Sequence, residues 1–329
     1  MKINSKKDIS FILACYNVEK YVERAVESIF KGGFLKPENV QIIAINDGST
    51  DKTLDKLYQI ANKYPLTIFD QANSGVGVTK NRGLESANGE YVMILDADDW
   101  IDAEVIAKQL QFAQKHNIDL IAFGMQYVNE KMKYMHLKDI FPGPFNEILS
   151  GRRVLLNGYQ PSSVCLFLMH KKFFKDDHMR FYNGTQLDVE ISTRLMLKAK
   201  RVYFSKEIGY YYFRNEGSVT KATNINKLKS YLSDSVRVAS LGTNNISKTD
   251  DKALKKVLIQ NNNSIVWNLI WRFVRHPKEV DNSFKLKCLK LLKQNQLYPI
   301  CGPLKTKFQR LSTLFFNQEW LLKLYFKNN

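Results

Sequence analysis

The first 95 residues alternate between two hydrophobic patterns, and this alternation limits the fold more than any other feature of the sequence. Four short apolar runs have the continuous hydrophobic character of buried strands: 9–14, 40–45, 66–69 and 91–95. The segments between them carry apolar residues at helical spacing, as at Val22, Ala25, Val26 and Ile29. Strands that alternate with helices predict an α/β fold, a mostly parallel sheet covered by helices.

The polar segments that follow these strands predict a shared crevice. Each begins where a strand ends: Tyr16-Asn17, 46–49, 73–83 and 96–99. Parallel strands present their carboxyl ends at one edge of the sheet, which is where α/β folds bind ligands. We therefore expect the functional site at this edge.

The acidic turn after the fourth strand is the strongest of these segments. In Asp96-Ala97-Asp98-Asp99-Trp100, residues 96 and 98 point to the same side, so their carboxylates can converge. Converging carboxylates repel each other unless a cation offsets their charge, and oxygen ligands suit Mg²⁺ or Mn²⁺. The alternative at this point is an ordinary acidic turn that caps the following helix.

The glycine-containing loop Ser74–Thr79 is a weak motif. The pattern lacks the third glycine of a dinucleotide-binding loop, because Lys80 stands at that position. We interpret it as a turn of close backbone approach that leads into a helix, with Lys80 and Arg82 available to an anion.

The basic charge is concentrated in the C-terminal third of the chain. The net charge of the whole protein is +17, and residues 221–329 contribute 20 basic against 6 acidic residues. Such a segment favours a polyanion, either nucleic acid or an anionic membrane surface. The same region carries apolar residues at helical spacing: Trp267, Ile270, Trp271, Val274, Leu311, Leu314, Phe315, Trp320, Leu321, Leu324 and Tyr325. These faces fit either internal packing or a membrane interface.

Cysteine spacing and hydropathy indicate the cellular setting. Cys15, Cys165, Cys288 and Cys301 are far apart in the sequence, which favours reduced thiols over a disulfide framework or a zinc site. No apolar run approaches the ~18 residues of a membrane span. We expect a cytoplasmic protein that lies peripherally on the inner face of the cell membrane.

Several motifs in order resemble those of a known family. SFILACYNVEKYVERAVESI, IIAINDGSTDKT and QANSGVGVTKNRGLESANGEYVMILDADDW closely resemble the N-terminal half of family 2 glycosyltransferases. These are GT-A-fold enzymes that transfer a sugar from a nucleotide donor with inversion. The resemblance resumes more weakly at TQLDVEISTRLMLKAKRVYF and YYYFRNEGSVTK. It implies a transferase domain over 1–221 and a basic helical region over 222–329.

The resemblance also implies roles for residues that match the family's motifs. Tyr16 and Asn17 would contact the nucleoside, Asp47 the base (typically uracil) and Asp96 the ribose. Arg82 would help to hold the nucleotide, and Asp98 would be a ligand of Mn²⁺ or Mg²⁺. Asp99 and Trp100 would contact the donor sugar or the acceptor.

The general base implied by the resemblance is Asp188. The attacking hydroxyl must lose a proton, and the family places a carboxylate for this purpose at the start of a later helix. Glu190 is the competing carboxylate. Leu187 replaces the Glu that usually precedes the base, which puts the geometry of the acceptor in question.

The resulting hypothesis is a metal-dependent inverting glycosyltransferase. It moves a sugar, with UDP as the expected nucleotide, to a hydroxyl of a lipid-linked glycan acceptor in cell-surface polysaccharide synthesis. The tail contacts the membrane. One alternative is an inactive homologue that binds nucleotide. Another is a basic nucleic-acid-binding protein, which we disfavour because the four carboxylates Asp47, Asp96, Asp98 and Asp188 would repel phosphates. No nucleic-acid partner is expected.

Overall fold

The chain divides into two compact units. A computed structural model describes residues 7–129, 131, 145–159, 163–176, 178–214 and 225–328. One unit comprises residues 1–183 and 187–215, and the other comprises 184–186 and 216–329. The division at 215 lies near the boundary predicted at residue 221, which is itself outside the described residues.

The first unit is an α/β unit. Its described strands and helices are β1 (Lys7–Cys15), α1 (Val22–Phe30), β2 (Val40–Asp47), α2 (Thr53–Ala61), β3 (Leu66–Gln71), α3 (Val76–Ser86), β4 (Gly89–Ile94), β5 (Trp100–Ile101), α4 (Ala103–His116), β6 (Leu120–Asn129), β7 (Ile148–Leu149), α5 (Gly151–Leu156), β8 (Phe167–His170), α6 (Leu187–Lys198) and β9 (Val202–Arg214). The strands and helices predicted for the first 95 residues are therefore confirmed.

The described strands form one sheet in the order β3-β2-β1-β4-β8-β6-β9-β5, and β7 pairs with β9. The four strands from β3 to β4 are parallel, as predicted. Beyond β4 the sheet is mixed: β6 and β9 are parallel, whereas β8 is antiparallel to both β4 and β6, and β5 is antiparallel to β9. The predicted α/β class is confirmed, but continuous parallel pairing covers only the strands from β3 to β4.

The last long strand differs from the prediction. The apolar runs 201–204 and 208–213 in the sequence predict two strands, and the structure forms a single strand, β9. Its pairing with β6 shifts register near Gly124, which is how one continuous strand accommodates the polar interruption at 205–207. The sequence also predicts a strand at 132–137, which lies outside the described residues.

The second unit is helical among its described residues: α7 (Ile225–Ser247), α8 (Lys252–Arg275), α9 (Asn282–Gln294), α10 (Lys307–Phe316) and α11 (Glu319–Asn328). Its core contains Trp267 and Ile270, so internal packing is confirmed for these residues. The segment 305–326, which combines aromatic and aliphatic residues with Lys and Arg, forms two helices, because α10 ends at Phe316 and α11 begins at Glu319.

The cysteines agree with a further prediction from the sequence. All four cysteines are free thiols, and Cys301 is exposed whereas the other three are buried. In the described part of the chain, none of the helices is long and apolar enough to cross a membrane.

Candidate active site

The carboxyl edge of β1 to β4 brings the predicted loops together. Asn17, directly after β1, adopts a left-handed backbone conformation with φ of 54°, which Asn tolerates better than most residues. Its Oδ1 accepts a hydrogen bond of 2.8 Å from the Thr50 N–H, and its own N–H donates to Ser49 Oγ at 3.1 Å. Tyr16 beside it is 49% exposed, so its ring lies at the surface of this edge.

Asp47 organises the loop that follows β3. Its Oδ1 accepts hydrogen bonds from the Gln71 side chain and the Ser74 N–H, each at 2.8 Å, and its Oδ2 accepts one from the Gly75 N–H at 3.0 Å. These contacts use three of the about four hydrogen bonds that a carboxylate can accept. The contact between Asp47 and a nucleotide base stays a prediction.

The glycines of the loop before α3 allow close packing. A Cβ on Gly77 would lie 2.2 Å from the Tyr182 carbonyl oxygen, and one on Gly75, whose φ is 90°, would lie 2.4 Å from Asn183 Oδ1. The interpretation of this segment as a turn of close approach is confirmed. The glycines bring α3 against the 182–183 segment, and this fixes the position of Lys80 on the first turns of the helix.

Lys80 lies between two carboxylates that are far apart in the sequence. Its side chain is 4% exposed, and its Nζ lies 3.3 Å from Asp96 Oδ1 and 3.8 Å from Asp188 Oδ1. Burial acts to lower the pKa of Lys80, but the charges of Asp96 and Asp188 outweigh it and hold that pKa above its usual value. The expectation that Lys80 is available to a bound anion is wrong, because its ammonium is already committed.

Asp96 has a second partner on its other oxygen. The Cys165 thiol donates to Asp96 Oδ2 across 3.2 Å. Burial raises the pKa of Cys165, and the negative charge of Asp96 raises it further, so the thiol keeps its proton and remains a donor. Cys165, Asp96, Lys80 and Asp188 form a connected group that we call the Lys80 cluster.

Asp188 lies in the first turn of α6, as predicted. Its side chain is 26% exposed, and its Oδ1 is shielded from solvent and accepts no hydrogen bond among the described residues. Burial raises the pKa of Asp188, and the ammonium of Lys80 opposes that rise. The preceding Leu187 is buried in the unit's core.

Glu190, the competing carboxylate, is occupied by a structural ion pair. It binds Arg194 through two parallel contacts, Nε to Oε1 at 2.6 Å and Nη2 to Oε2 at 2.5 Å. Arg194 also donates to the carbonyl oxygens of His178 and Arg180. Because Glu190 is held in this bidentate pair, Asp188 is the carboxylate of α6 that contributes to the Lys80 cluster.

Asp99 is turned into the protein. Its Oδ2 accepts a hydrogen bond from the Tyr210 hydroxyl at 2.6 Å, and its Oδ1 accepts one from the Phe213 N–H at 2.7 Å. Burial raises the pKa of this carboxyl, and Asp98 and Asp96 raise it further. The expected contact of Asp99 with a sugar is wrong, because both of its oxygens anchor the acidic turn to β9.

Asp98 and Trp100 remain at the rim of the site, with partly exposed side chains. The Arg24 guanidinium donates to the Asp98 carbonyl oxygen at 2.7 Å and lies 4.1 Å from the centre of the Trp100 ring. Trp100 also stacks on Tyr211, with ring centres 5.6 Å apart. A stacked tryptophan at a rim is suited to contact a sugar ring, and this role stays a prediction.

Arg82 lies on α3, two residues after Lys80. Its Nη1 donates to the Gln71 side chain at 2.8 Å, and its guanidinium lies over the Phe69 ring at 4.7 Å. It is thereby tied to the same glutamine that donates to Asp47. The nucleotide contact predicted for Arg82 is untested.

The carboxylates of the site fit a divalent cation that binds together with substrate phosphates. The described residues contain no group of three or more His, Cys, Asp or Glu side chains that could hold a metal on their own. Mg²⁺ commonly binds through one or two carboxylates together with substrate phosphates. Asp98, a single carboxylate at the rim of the site, suits this mode of metal binding.

Comparisons with known proteins decide the family. The sequence profile described as glycosyl transferase family 2 matches residues 10–177, which is half of the chain. The chain belongs to this family. It is 30% identical over 230 residues to the minor teichoic acid biosynthesis protein GgaB of Bacillus subtilis, and the match covers 66% of this chain and 24% of GgaB. It is 23% identical over 224 residues to the glycosyltransferase GlyA of Streptococcus pneumoniae, of which it covers 31%.

The fold agrees with a solved glycosyltransferase structure. Residues 1–349 of S. aureus TarS in complex with UDP-GlcNAc superpose with a TM-score of 0.74 and 20% sequence identity, over 97% of this chain and 89% of that one. This likeness confirms the GT-A fold expected from the motifs. The chain spans about a quarter to a third of the length of the curated relatives GgaB and GlyA.

Sequence reasoning missed Cys165 and the true partners of Lys80. The motif around Lys80 did indicate a conformationally special helix start, but nothing in it indicated which carboxylates the lysine meets. The Lys80 cluster joins residues from α3, the acidic turn after β4, the segment before β8 and α6.

Proposed function

We propose that the protein is an inverting glycosyltransferase that moves a sugar from a UDP-linked donor to a hydroxyl of a glycan acceptor, with Asp188 as general base. The observation that carries the proposal is the Lys80 cluster. It holds a carboxylate of the acidic turn, Asp96, and the carboxylate of Asp188 on either side of one buried ammonium, at the carboxyl edge of the parallel strands.

The ammonium of Lys80 suits Asp188 for proton abstraction. A base must be ionised before it can accept a proton, and burial disfavours the ionised form of Asp188. Lys80 offsets part of that penalty. Because Oδ1 faces Lys80 and is shielded, we assign Oδ2 as the oxygen that takes the proton.

The bond changes follow from this placement. The acceptor oxygen forms a bond to the anomeric carbon on the face opposite the diphosphate, and the bond from that carbon to the diphosphate breaks. The hydroxyl proton passes to Asp188, and the electron pair of the broken bond leaves with UDP. Direct displacement of this kind inverts the anomeric centre.

Asp98 is the proposed ligand of a divalent cation, Mn²⁺ or Mg²⁺. When bound, such a cation would offset the negative charge that builds on the leaving diphosphate. Asp96 holds its position beside the donor ribose through its contacts with Lys80 and Cys165. Arg82 and Asp47 contribute at the nucleotide.

The donor and acceptor are proposed from relatives. TarS is described in complex with UDP-GlcNAc, which supports a UDP-linked donor here. GgaB is named for minor teichoic acid biosynthesis, which supports a cell-surface polysaccharide as the product. We further propose that the acceptor is lipid-linked and that the protein works on the inner face of the cell membrane.

Calorimetric titration of UDP tests the donor site. We expect UDP to bind with Mn²⁺ present and binding to fall sharply in EDTA. Asp98→Ala should behave in Mn²⁺ as the wild-type protein does in EDTA. Binding of GDP, CMP or dTDP in place of UDP would correct the nucleotide, and binding of none of them would contradict the transferase site.

An inactive homologue is distinguished by turnover. Donor binding without transfer or hydrolysis of any UDP-sugar in a panel would contradict the proposed activity while leaving the nucleotide site intact. The observation that motivates this control is Leu187, which is buried where the family usually places a Glu.

A further inference from the structure

The last two helices expose large apolar side chains. Four of them are at least half exposed and define what we call the outer face of α10 and α11: Leu311 and Leu314 each at 69%, Trp320 at 65% and Leu324 at 50%. Phe308 is 53% exposed but is not part of this face, because its ring contacts Trp267 and Trp271. Exposed leucines are ordinary when scattered singly, whereas a group of this kind marks an interaction site.

The outer face is opposite the side of each helix that packs inward. On α10 the buried residues are Gln309, Thr313 and Phe316, and helical spacing puts Leu311 and Leu314 on the other side. On α11 the buried residues are Leu322 and Phe326. Both helices therefore carry apolar residues on two sides, although their packing within the second unit needs only one.

Internal packing accounts for the rest of the apolar pattern in this region. Trp267 and Ile270 are core residues, and Trp271, Phe315 and Tyr325 pack against that core. From sequence spacing alone, these apolar residues fit either internal packing or a membrane interface. The structure separates them into a core-forming part and the outer face, whose four side chains remain at least half exposed.

Positive charge surrounds the outer face. Residues 305–328 contain five basic residues, all exposed: Lys305, Lys307, Arg310, Lys323 and Lys327. The acidic residue of this span, Glu319, pairs with Lys293 and Lys323. A partner for this surface must accept both apolar groups and cations.

We propose that the outer face of α10 and α11 docks on an anionic lipid surface. Leucine side chains enter the boundary between headgroups and acyl chains, tryptophan favours the interface, and lysines pair with anionic headgroups. An anionic glycan polymer would satisfy the lysines but offers little apolar surface for Leu311 and Leu314. This inference deepens the membrane association proposed above and names the residues that make it.

Vesicle cosedimentation of the full 329-residue protein tests the proposal. Phosphatidylcholine vesicles with and without phosphatidylglycerol are compared. We expect binding to the anionic vesicles that weakens in high salt. The variant Leu311→Ser/Leu314→Ser/Trp320→Ser should lose at least about tenfold in apparent affinity, because its apolar contacts are gone.

A matched control replaces exposed aromatic residues elsewhere. Phe34→Ser/Tyr58→Ser removes side chains that are 49% and 55% exposed on the first unit, and it should bind vesicles as the wild type does. Equal loss in both variants would contradict the proposal. Retained vesicle binding in the triple variant would also contradict it.

Two other outcomes would replace the lipid surface with a different occupant. Binding to polyphosphate but not to vesicles would assign the face to a polyanion. A concentration-dependent dimer that the triple substitution dissociates would assign it to a second copy. UDP titration of each variant tests the donor site separately, so failure of the transferase proposal and failure of lipid docking are distinguishable.

Discussion

Replacing Lys80 with methionine removes the ammonium that lies beside both Asp96 and Asp188 in the Lys80 cluster. Methionine keeps much of the buried length of the side chain and deletes the charge. Loss of one partner from a fully buried ion pair costs about 3–5 kcal/mol. Asp96 and Asp188 are 38% and 26% exposed, so water stabilises them in part. We expect the free energy of unfolding to fall by about 2–3 kcal/mol.

Urea unfolding at neutral pH measures this loss. Lys63→Met is the matched control, since its side chain is 61% exposed, and it should change stability by less than about 0.5 kcal/mol. Asp188→Asn in the Lys80→Met background removes one of the stranded charges. The double variant should therefore be more stable than Lys80→Met alone.

The same substitution should move the pH dependence of catalysis. Burial raises the pKa of Asp188, and Lys80 opposes that rise, so without Lys80 this pKa moves higher still. Because the base acts only when ionised, the acid limb of kcat/KM should shift to higher pH. An unchanged unfolding midpoint together with an unmoved acid limb would refute the role given to Lys80.

Substitutions at three further residues test neighbouring contacts. Asp99→Ala leaves the buried Tyr210 hydroxyl and the Phe213 N–H without their acceptor. It should lower the free energy of unfolding, measured by heat or urea, by about 2 kcal/mol or more, clearly more than Asp98→Ala does. Equal losses would contradict the anchoring role. Glu190→Gln should lower the free energy of unfolding by about 1–3 kcal/mol and leave the acid limb of kcat/KM unchanged. A shift of that limb would indicate that Glu190 acts as a base. Cys165→Ala should cost about 1 kcal/mol and Cys165→Ser nearly none, as the hydroxyl still donates to Asp96.

Local patterns were sufficient to predict the first part of the fold. The strands from β1 to β4 are short, continuous in apolar character and separated by helical spacing, so residues close in sequence decide them. The mixed part of the sheet depends on pairings such as β4 with β8, in which Tyr91 pairs with His170 and Val92 with Met169, 79 and 77 residues apart. Hydrophobic periodicity carries no information about which distant strand becomes a neighbour.

The candidate site shows the same limit. Asp98 and Asp188 were identified from motifs; the structure places Asp98 in the turn after β4 and Asp188 in the first turn of α6, and their roles stay predictions. The family resemblance implied a contact of Asp99 with the donor sugar or acceptor, but a motif does not show what packs against a carboxylate. The positions of Tyr210 and Phe213 on β9 show that Asp99 points inward.

The apolar stripes of the C-terminal helices show the same limit for the prediction of exposed surfaces. Trp267 and Leu311 both lie on apolar stripes at helical spacing, yet Trp267 is 6% exposed and Leu311 is 69% exposed. A stripe says that a helix has an apolar side. Whether that side is covered depends on the tertiary partner, which spacing does not specify.

The most direct test of the central claim is the transfer rate of Asp188→Asn. With a UDP-sugar that the wild-type protein turns over, the variant should bind UDP and Mn²⁺ with unchanged affinity while kcat falls by at least about 100-fold, the usual contribution of a positioned general base. The same fall should not occur in Glu190→Gln. Near wild-type kcat in Asp188→Asn would contradict the assignment of Asp188 as the base.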